Sequence, residues 1–173
     1  MSAPRVKRAK RPTSAERISL SKVRTSDLPV FFENQLDPEA NRMAAFGAKD
    51  PTDRKEFMAH WRKILGDPRN VTSAVLLDGH VVGHIAEFDL FGKPSVAYWY
   101  SHDVWGRGVA TIALRNFLRL IQVRPIFARV AKDNVASVRV LEKCGFVACG
   151  QETGFAQARG AEIEELIFRR DEP

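Results

Sequence analysis

The chain has 173 residues, 45% hydrophobic and 28% charged, with 27 Lys and Arg against 21 Asp and Glu for a net charge of +6. That is an ordinary globular composition, long enough for one domain with its own core, and no apolar run approaches the roughly 18–20 residues of a membrane span. The charge excess is local: Arg5, Lys7, Arg8, Lys10 and Arg11 supply five positive charges in a stretch without acids.

Residues 1–15 are therefore expected to be a disordered basic tail, and residues 16–173 the folded domain. Such a tail could touch nucleic acid only as a sequence-blind arm, so a nucleic-acid function is not expected. No apolar segment follows it to make a secretory signal. Cys144 and Cys149 then read as reduced thiols of a cytoplasmic protein. His60, His80, His84 and His102 show no metal-ligand spacing, and no metal is expected.

The segment 17–24 alternates apolar and polar as a first strand, with Ile18 and Leu20 inward. Ser26-Asp27 caps a short helix running to Leu36. Residues 37–51 read as irregular, broken by Asp37-Pro38, Gly47 and Asp50-Pro51. Asp50-Pro51 reads as the start of a helix with Phe57, Trp61 and Ile64 on one face, ending at Gly66-Asp67-Pro68. The runs 71–77 and 81–90, joined by Asp78-Gly79, form a hairpin. After a turn at Lys93-Pro94 come a strand over 96–101, a long helix over 109–121 and a short strand over 126–130. A helix over 134–144 and closing strands over 146–153 and 162–169 complete an order βααβββαβαββ. By pattern alone this is α/β or α+β with one sheet.

The most telling stretch is Trp105-Gly106-Arg107-Gly108-Val109-Ala110, between a strand and an amphipathic helix. A helix N-terminus offers free N–H groups and partial positive charge, which suits a phosphate or pyrophosphate, and glycines allow close approach. A tight connection would use the same residues. Farther on, Asn134-Val-Ala-Ser137 opens a helix that ends at Lys143-Cys-Gly145-Phe146. The two together resemble the GNAT acetyltransferase superfamily, nearest to its ribosomal-protein N-terminal acetyltransferase branch. The likeness is specific from about Val96 to Phe146 and loose before it.

The resemblance implies a single strongly twisted mixed sheet with helices on both faces, and acetyl-CoA as co-substrate without a metal. The family's [Gln/Arg]-x-x-Gly-x-[Gly/Ala] motif falls on Trp105, Gly108 and Ala110, with Trp in its first position. It implies that the 105–110 turn grips the pyrophosphate and that a main-chain N–H at Tyr100 or Ser101 polarises the thioester carbonyl. Asn134, which could equally be a helix cap, would lie beside the pantetheine arm. The family's helix tyrosine falls on Leu141 here, so Ser137 becomes the candidate acid for the thiolate. Lys143, with Arg139, would reach the CoA 3′-phosphate from an otherwise solvated helix face.

The base has several candidates. Glu87 lies among apolar neighbours that would raise its pKa. His84 and His102 have the better starting pKa, Glu152 is an outsider, and water could serve. The expected reaction is direct transfer of acetyl to a primary amine of a small molecule or a protein N-terminus. Asn41, Arg42 and Arg159, in the segments 37–50 and 154–161, would line the acceptor side. The alternative is a non-catalytic acetyl-CoA-binding or sensing protein. Assembly is left open, a homodimer included.

Overall fold

The computed structural model describes residues 17–172; the tail expected over residues 1–15 lies outside them. Seven strands and five helices follow in the order β1 (Ile18–Lys22), α1 (Leu28–Leu36), α2 (Pro38–Ala44), α3 (Arg54–Gly66), β2 (Val71–Leu77), β3 (His80–Leu90), β4 (Lys93–Tyr100), α4 (Val109–Leu120), β5 (Ile126–Ala131), α5 (Val135–Lys143), β6 (Val147–Ala156) and β7 (Ala161–Arg170). They build one mixed sheet in the order β1-β2-β3-β4-β5-β7-β6. Every neighbouring pair is antiparallel except β4 and β5.

Alternation along the strands sorts the core into two layers. Ala74 faces α1 and α3, where Phe31, Phe32, Phe57 and Trp61 pack. Its neighbour Val75 faces the other way, into a larger core with Ile85, Val96, Ile126 and Phe168. Over that core lie Val109, Ala113, Leu114 and Phe117 of α4 and Leu141 of α5. The spacing of the α4 residues is that of an amphipathic stripe. At the β2–β3 turn, Asp78 and Gly79 both take positive φ, 52° and 80°, as a two-residue hairpin turn requires.

Three expectations need correction. The segment after Leu36 is helical, so the order carries one more helix between β1 and β2. Asp37 caps α2 by accepting from Ala40 N–H at 2.8 Å, Pro38 occupies its first turn, and Ala40 and Asn41 are buried. The next helix begins later than Asp50-Pro51, because Asp53 is its cap, accepting from Glu56 N–H at 2.8 Å. Finally, β6 and β7 extend so far that the loop expected over 154–161 shrinks to residues 157–160.

Candidate active site

Only one register pair, Ser95 with Phe127, joins β4 to β5. Beyond it the two strands part. Ser101 N–H donates to the Val82 carbonyl at 2.8 Å, and Tyr100 lies opposite Gly83. In an antiparallel ladder the residues between hydrogen-bonded pairs point their N–H and C=O away from that partner. Tyr98 and Tyr100 therefore turn their main-chain groups toward the gap, whereas Ser101 N–H is spent on β3. Of the two N–H groups expected to meet a carbonyl, the geometry leaves that of Tyr100. The Tyr100 carbonyl accepts from Trp105 Nε1 at 3.2 Å. The Tyr100 ring is buried with an unpartnered hydroxyl, and burial pushes its pKa up.

The glycine turn stands at the end of the same strand. Gly106 and Gly108 have φ of 69° and 78°, and Gly108 is the first residue outside α4. Among the described residues, none of the main-chain N–H groups from Gly106 to Thr111 donates to the protein; the first that does is Ile112, to the Gly108 carbonyl at 3.1 Å. Six donors in succession, with the dipole of a 12-residue helix behind them, make an anion cradle. Arg107 adds an exposed guanidinium, while the Val109 side chain is buried in the core and Ala110 packs beside it.

Across the gap, α5 begins at Asn134. Its Oδ1 accepts from Ser137 N–H at 3.1 Å, and its Nδ2 donates to the Met43 carbonyl at 3.2 Å. Its amide is thus occupied as a cap and as a tie to α2. Ser137 Oγ lies 2.7 Å from the Tyr98 hydroxyl, a contact that joins β4 to α5. Burial pushes the Tyr98 phenol up to about 12 against the opposing effect of Ser137. Nothing local in the sequence announces this partner of Tyr98, 39 positions away.

Lys143 closes α5 beside a groove of about 440 Å³ lined also by Arg115, Arg119, Cys144 and Arg170. Arg115 donates to the Lys143 carbonyl at 2.9 Å, and Arg170 to that of Cys144. Arg115 lies seven residues beyond Gly108, about 10 Å along the helix at 1.5 Å per residue. The two α4 arginines escape sequence reading because they look like any solvated helix face.

The candidate bases fall in four places. Glu87 is 9% exposed and on the face with Ile85, as alternation requires; burial, then Asp89, raises its pKa. That face is the one α4 covers. Its partner Val96 stands four residues before Tyr100, about 13 Å along the strand at 3.3 Å per residue. Glu87 is therefore remote from the end of β4. His84 lies against Phe31 at 4.7 Å and Trp61 at 4.8 Å, with Nδ1 buried and unpartnered. Burial lowers its pKa to about 3, which makes it a neutral core imidazole. Glu152 is paired with Arg129, which lowers its pKa. His102 alone stands at the end of β4, with Nδ1 3.1 Å from Asp37 Oδ2 and its ring 4.3 Å from that of Trp105.

The α2 segment spans this opening. At one side Asp37 meets His102; at the other, Arg159 Nε donates to the Arg42 carbonyl at 2.8 Å and Ala158 N–H to that of Ala45 at 3.2 Å. Arg159 is itself held by two bonds to Asp133, of 2.7 and 2.9 Å. Asn41 is buried, its amide bonded to the Gln35 and Asp37 carbonyls, so it braces α2 instead of facing a ligand. Among the described residues there is no group of three His, Cys, Asp or Glu side chains that could hold a metal ion, and no helix long and apolar enough to cross a membrane.

The sequence profile of the acetyltransferase (GNAT) domain matches residues 17–147. YdaF of Bacillus subtilis (strain 168), whose name assigns it provisionally to the ribosomal N-acetyltransferases, is 26% identical over 117 residues. That match covers 61% of this chain and 64% of YdaF, so it spans less than two thirds of the relative's length. RimJ of Mycobacterium smegmatis, solved with CoA-disulfide, superposes with a TM-score of 0.71 at 22% identity, covering 91% of this chain and 83% of RimJ. The spermidine N-acetyltransferase of Vibrio cholerae, solved with CoA and spermine, gives 0.72 at 15% identity, covering 89% and 96%. The chain belongs to the GNAT family of acetyltransferases.

Proposed function

We propose that the protein transfers acetyl from acetyl-CoA to a primary amine, of a small molecule or a protein N-terminus, by direct attack. The observation that carries this reading is the row of unpaired N–H groups from Gly106 to Thr111, beside the place where β4 leaves β5. A diphosphate with a long polar arm fits both features, and Gly106 and Gly108, at positive φ, put no side chain into the cradle.

Acetyl-CoA supplies an acyl group already activated as a thioester. The chain supplies the rest. The Gly106–Thr111 donors and Arg107 hold the pyrophosphate, and Lys143, Arg115 and Arg119 face the remaining phosphate. Tyr100 N–H points where the thioester oxygen gains charge; a donor of that kind is worth about 3–4 kcal/mol of barrier. The Trp105 bond to the Tyr100 carbonyl holds the peptide that follows this donor. Ser137, backed by the Tyr98 hydroxyl, holds a proton for the departing sulfur. The Asn134 cap sets the position of Ser137. Acceptors named among the structural neighbours, spermidine and ribosomal protein S5, both offer amines.

The test is a calorimetric titration with acetyl-CoA, followed by thiol release with spermidine and with an alanine-initiated peptide. Absence of binding removes the reading. Binding without thiol release over a broad amine panel makes the protein a non-catalytic acetyl-CoA binder.

A further inference from the structure

We propose that His102, positioned by Asp37, accepts the proton of the acceptor amine. The inference rests on the acetyl-transfer reading above. An alkyl amine is almost wholly ammonium near neutral pH and has no lone pair until it loses a proton. A base must therefore stand within reach of the acyl carbon.

The placement of His102 meets that need from two sides. It lies two residues after Tyr100, and its ring packs at a 38° tilt against that of Trp105, whose indole bonds the Tyr100 carbonyl. The imidazole is thus tied, through Trp105, to the carbonyl side of the residue whose N–H faces the gap. From the other side comes the start of α2. Asp37 Oδ1 caps the helix at Ala40 N–H, and Oδ2 lies 3.1 Å from His102 Nδ1. One carboxylate, fixed at both oxygens, fixes the ring.

The tautomer follows. With an ionised Asp37 as partner, Nδ1 carries the hydrogen and Nε2 keeps its lone pair, the division of labour of an Asp–His pair in general base catalysis. The Ala40 N–H, and behind it His102, hold the Asp37 carboxyl below the usual range, so it stays ionised at neutral pH. Nε2 is 3.6 Å from Glu39 Oε2, beyond hydrogen-bond length. A carboxylate at that distance adds negative charge beside Nε2, where an ammonium arrives. The charged groups facing the imidazole are Asp37 and Glu39 from α2; in its own turn Asp103 is occupied by the Ser101 hydroxyl.

The protons balance. Nε2 takes one proton from the ammonium and passes it to solvent. The freed nitrogen pair forms the C–N bond, and the C–S pair leaves with sulfur. Sulfur takes the Ser137 hydroxyl proton, and the second nitrogen proton restores that hydroxyl through solvent. One ammonium and one thioester give one amide, one thiol and one released proton.

Two measurements test the proposal. In the free protein at pH 8, nitrogen NMR of His102 should show hydrogen on Nδ1 and a bare Nε2. Asp37→Asn, which keeps a capping side chain, should shift that tautomer while leaving α2 folded. Hydrogen on Nε2 in the wild type overturns the proposal without touching acetyl transfer. In the second, thiol release is compared between hydroxylamine, a neutral nucleophile at pH 7, and spermidine. His102→Gln should cost about 10²–10⁴-fold with spermidine and little with hydroxylamine, with acetyl-CoA affinity retained by calorimetry. Equal losses with both nucleophiles, or turnover of spermidine near that of the wild type, overturn the role of His102. Wild-type turnover of hydroxylamine but of no protonated amine overturns it too. A wild type that neither binds acetyl-CoA nor releases thiol with hydroxylamine refutes the acetyl-transfer reading instead.

Discussion

Gly83 and Tyr100 face each other across β3 and β4, and the ring of the second fills the space a side chain on the first would need. A Cβ at position 83 would fall 2.2 Å from the Trp99 carbonyl oxygen and 2.7 Å from Tyr100 Cδ1. Both atoms belong to the stretch that ends the strand, so the fit couples core packing to the aim of the Tyr100 N–H. Gly83→Ala should cost about 1–3 kcal/mol, the range for overpacking. It should also lower kcat more than it weakens acetyl-CoA binding, as thermal melts, calorimetry and steady-state rates would show. Unchanged melting and turnover would mean that the strand end yields freely.

Gly108→Glu tests the cradle. Nothing in the protein lies within 4 Å of a Cβ built there, so the cost to the fold is the left-handed φ of 78°, about 1–3 kcal/mol. The loss should fall on the ligand, since a carboxylate would occupy the anion position at the start of α4. Calorimetry should find acetyl-CoA binding abolished in a folded variant, whereas affinity like that of the wild type would remove the cradle.

Ser137→Ala and Tyr98→Phe should each lower kcat and kcat/KM together, the mark of a group that acts only in the transition state. Because the two hydroxyls are 2.7 Å apart, the double variant should lose less than the product of the single losses. Asn134→Ala should behave differently. It should lower stability by about 1 kcal/mol through the lost cap, read by denaturant titration, with the reaction affected only as α5 loosens. Independent, multiplicative losses would separate the two hydroxyls.

These residues also show what a sequence gives away and what it hides. The hairpin at Asp78-Gly79, the apolar stripe of α4 and the glycine turn are local, and each is legible because the backbone dictates the residue. The helix α2 is less so. Pro38 reads as a breaker and also fits a first helical turn, and only burial of Ala40 and Asn41 against the fold decides between them. The reverse holds at Pro51, where the same Asp-Pro pair belongs to a turn and Asp53 begins the helix. The site chemistry is hidden for the same reason. Tyr98 meets Ser137, and Asp37 meets His102, across 39 and 65 positions. Glu87, attractive for its apolar neighbours, owes them to the core under α4.

His84 predicts a pH dependence of stability. Its pKa of about 3 in the folded protein lies below the unfolded value near 6.5. The unfolded chain therefore binds the extra proton between those values, and stability is full above about pH 6.5 and falls as pH drops toward 3. Because Nδ1 has no partner, His84→Phe should change stability little at pH 7 and flatten the decline between pH 6.5 and 4. Thermal melts over that range check the sign, and an unchanged slope would place the acid sensitivity elsewhere.

Arg159→Ala removes the link between the Arg42 carbonyl of α2 and the Asp133 carboxylate. The segment over the opening should loosen, raising KM for the amine several-fold with acetyl-CoA affinity preserved. Equal changes in both constants would show that α2 supports the cofactor side as well.

With Ser95 and Phe127 as their sole register pair, β4 and β5 leave the sheet as two ladders hinged at one rung, β1 to β4 on one side and β5 to β7 on the other. A ligand arm that offers amides to the edge of β4 would act as a missing strand. The protein would then be a sheet that its own substrate completes. Amide exchange in β5 and at the end of β4 should slow together when acetyl-CoA is added, while exchange in the β2–β3 hairpin stays as it was. The melting temperature should climb with ligand concentration as mass action requires. Turnover would carry a mechanical cycle with it, the two halves stiffening as the thioester arrives and loosening as the thiol departs.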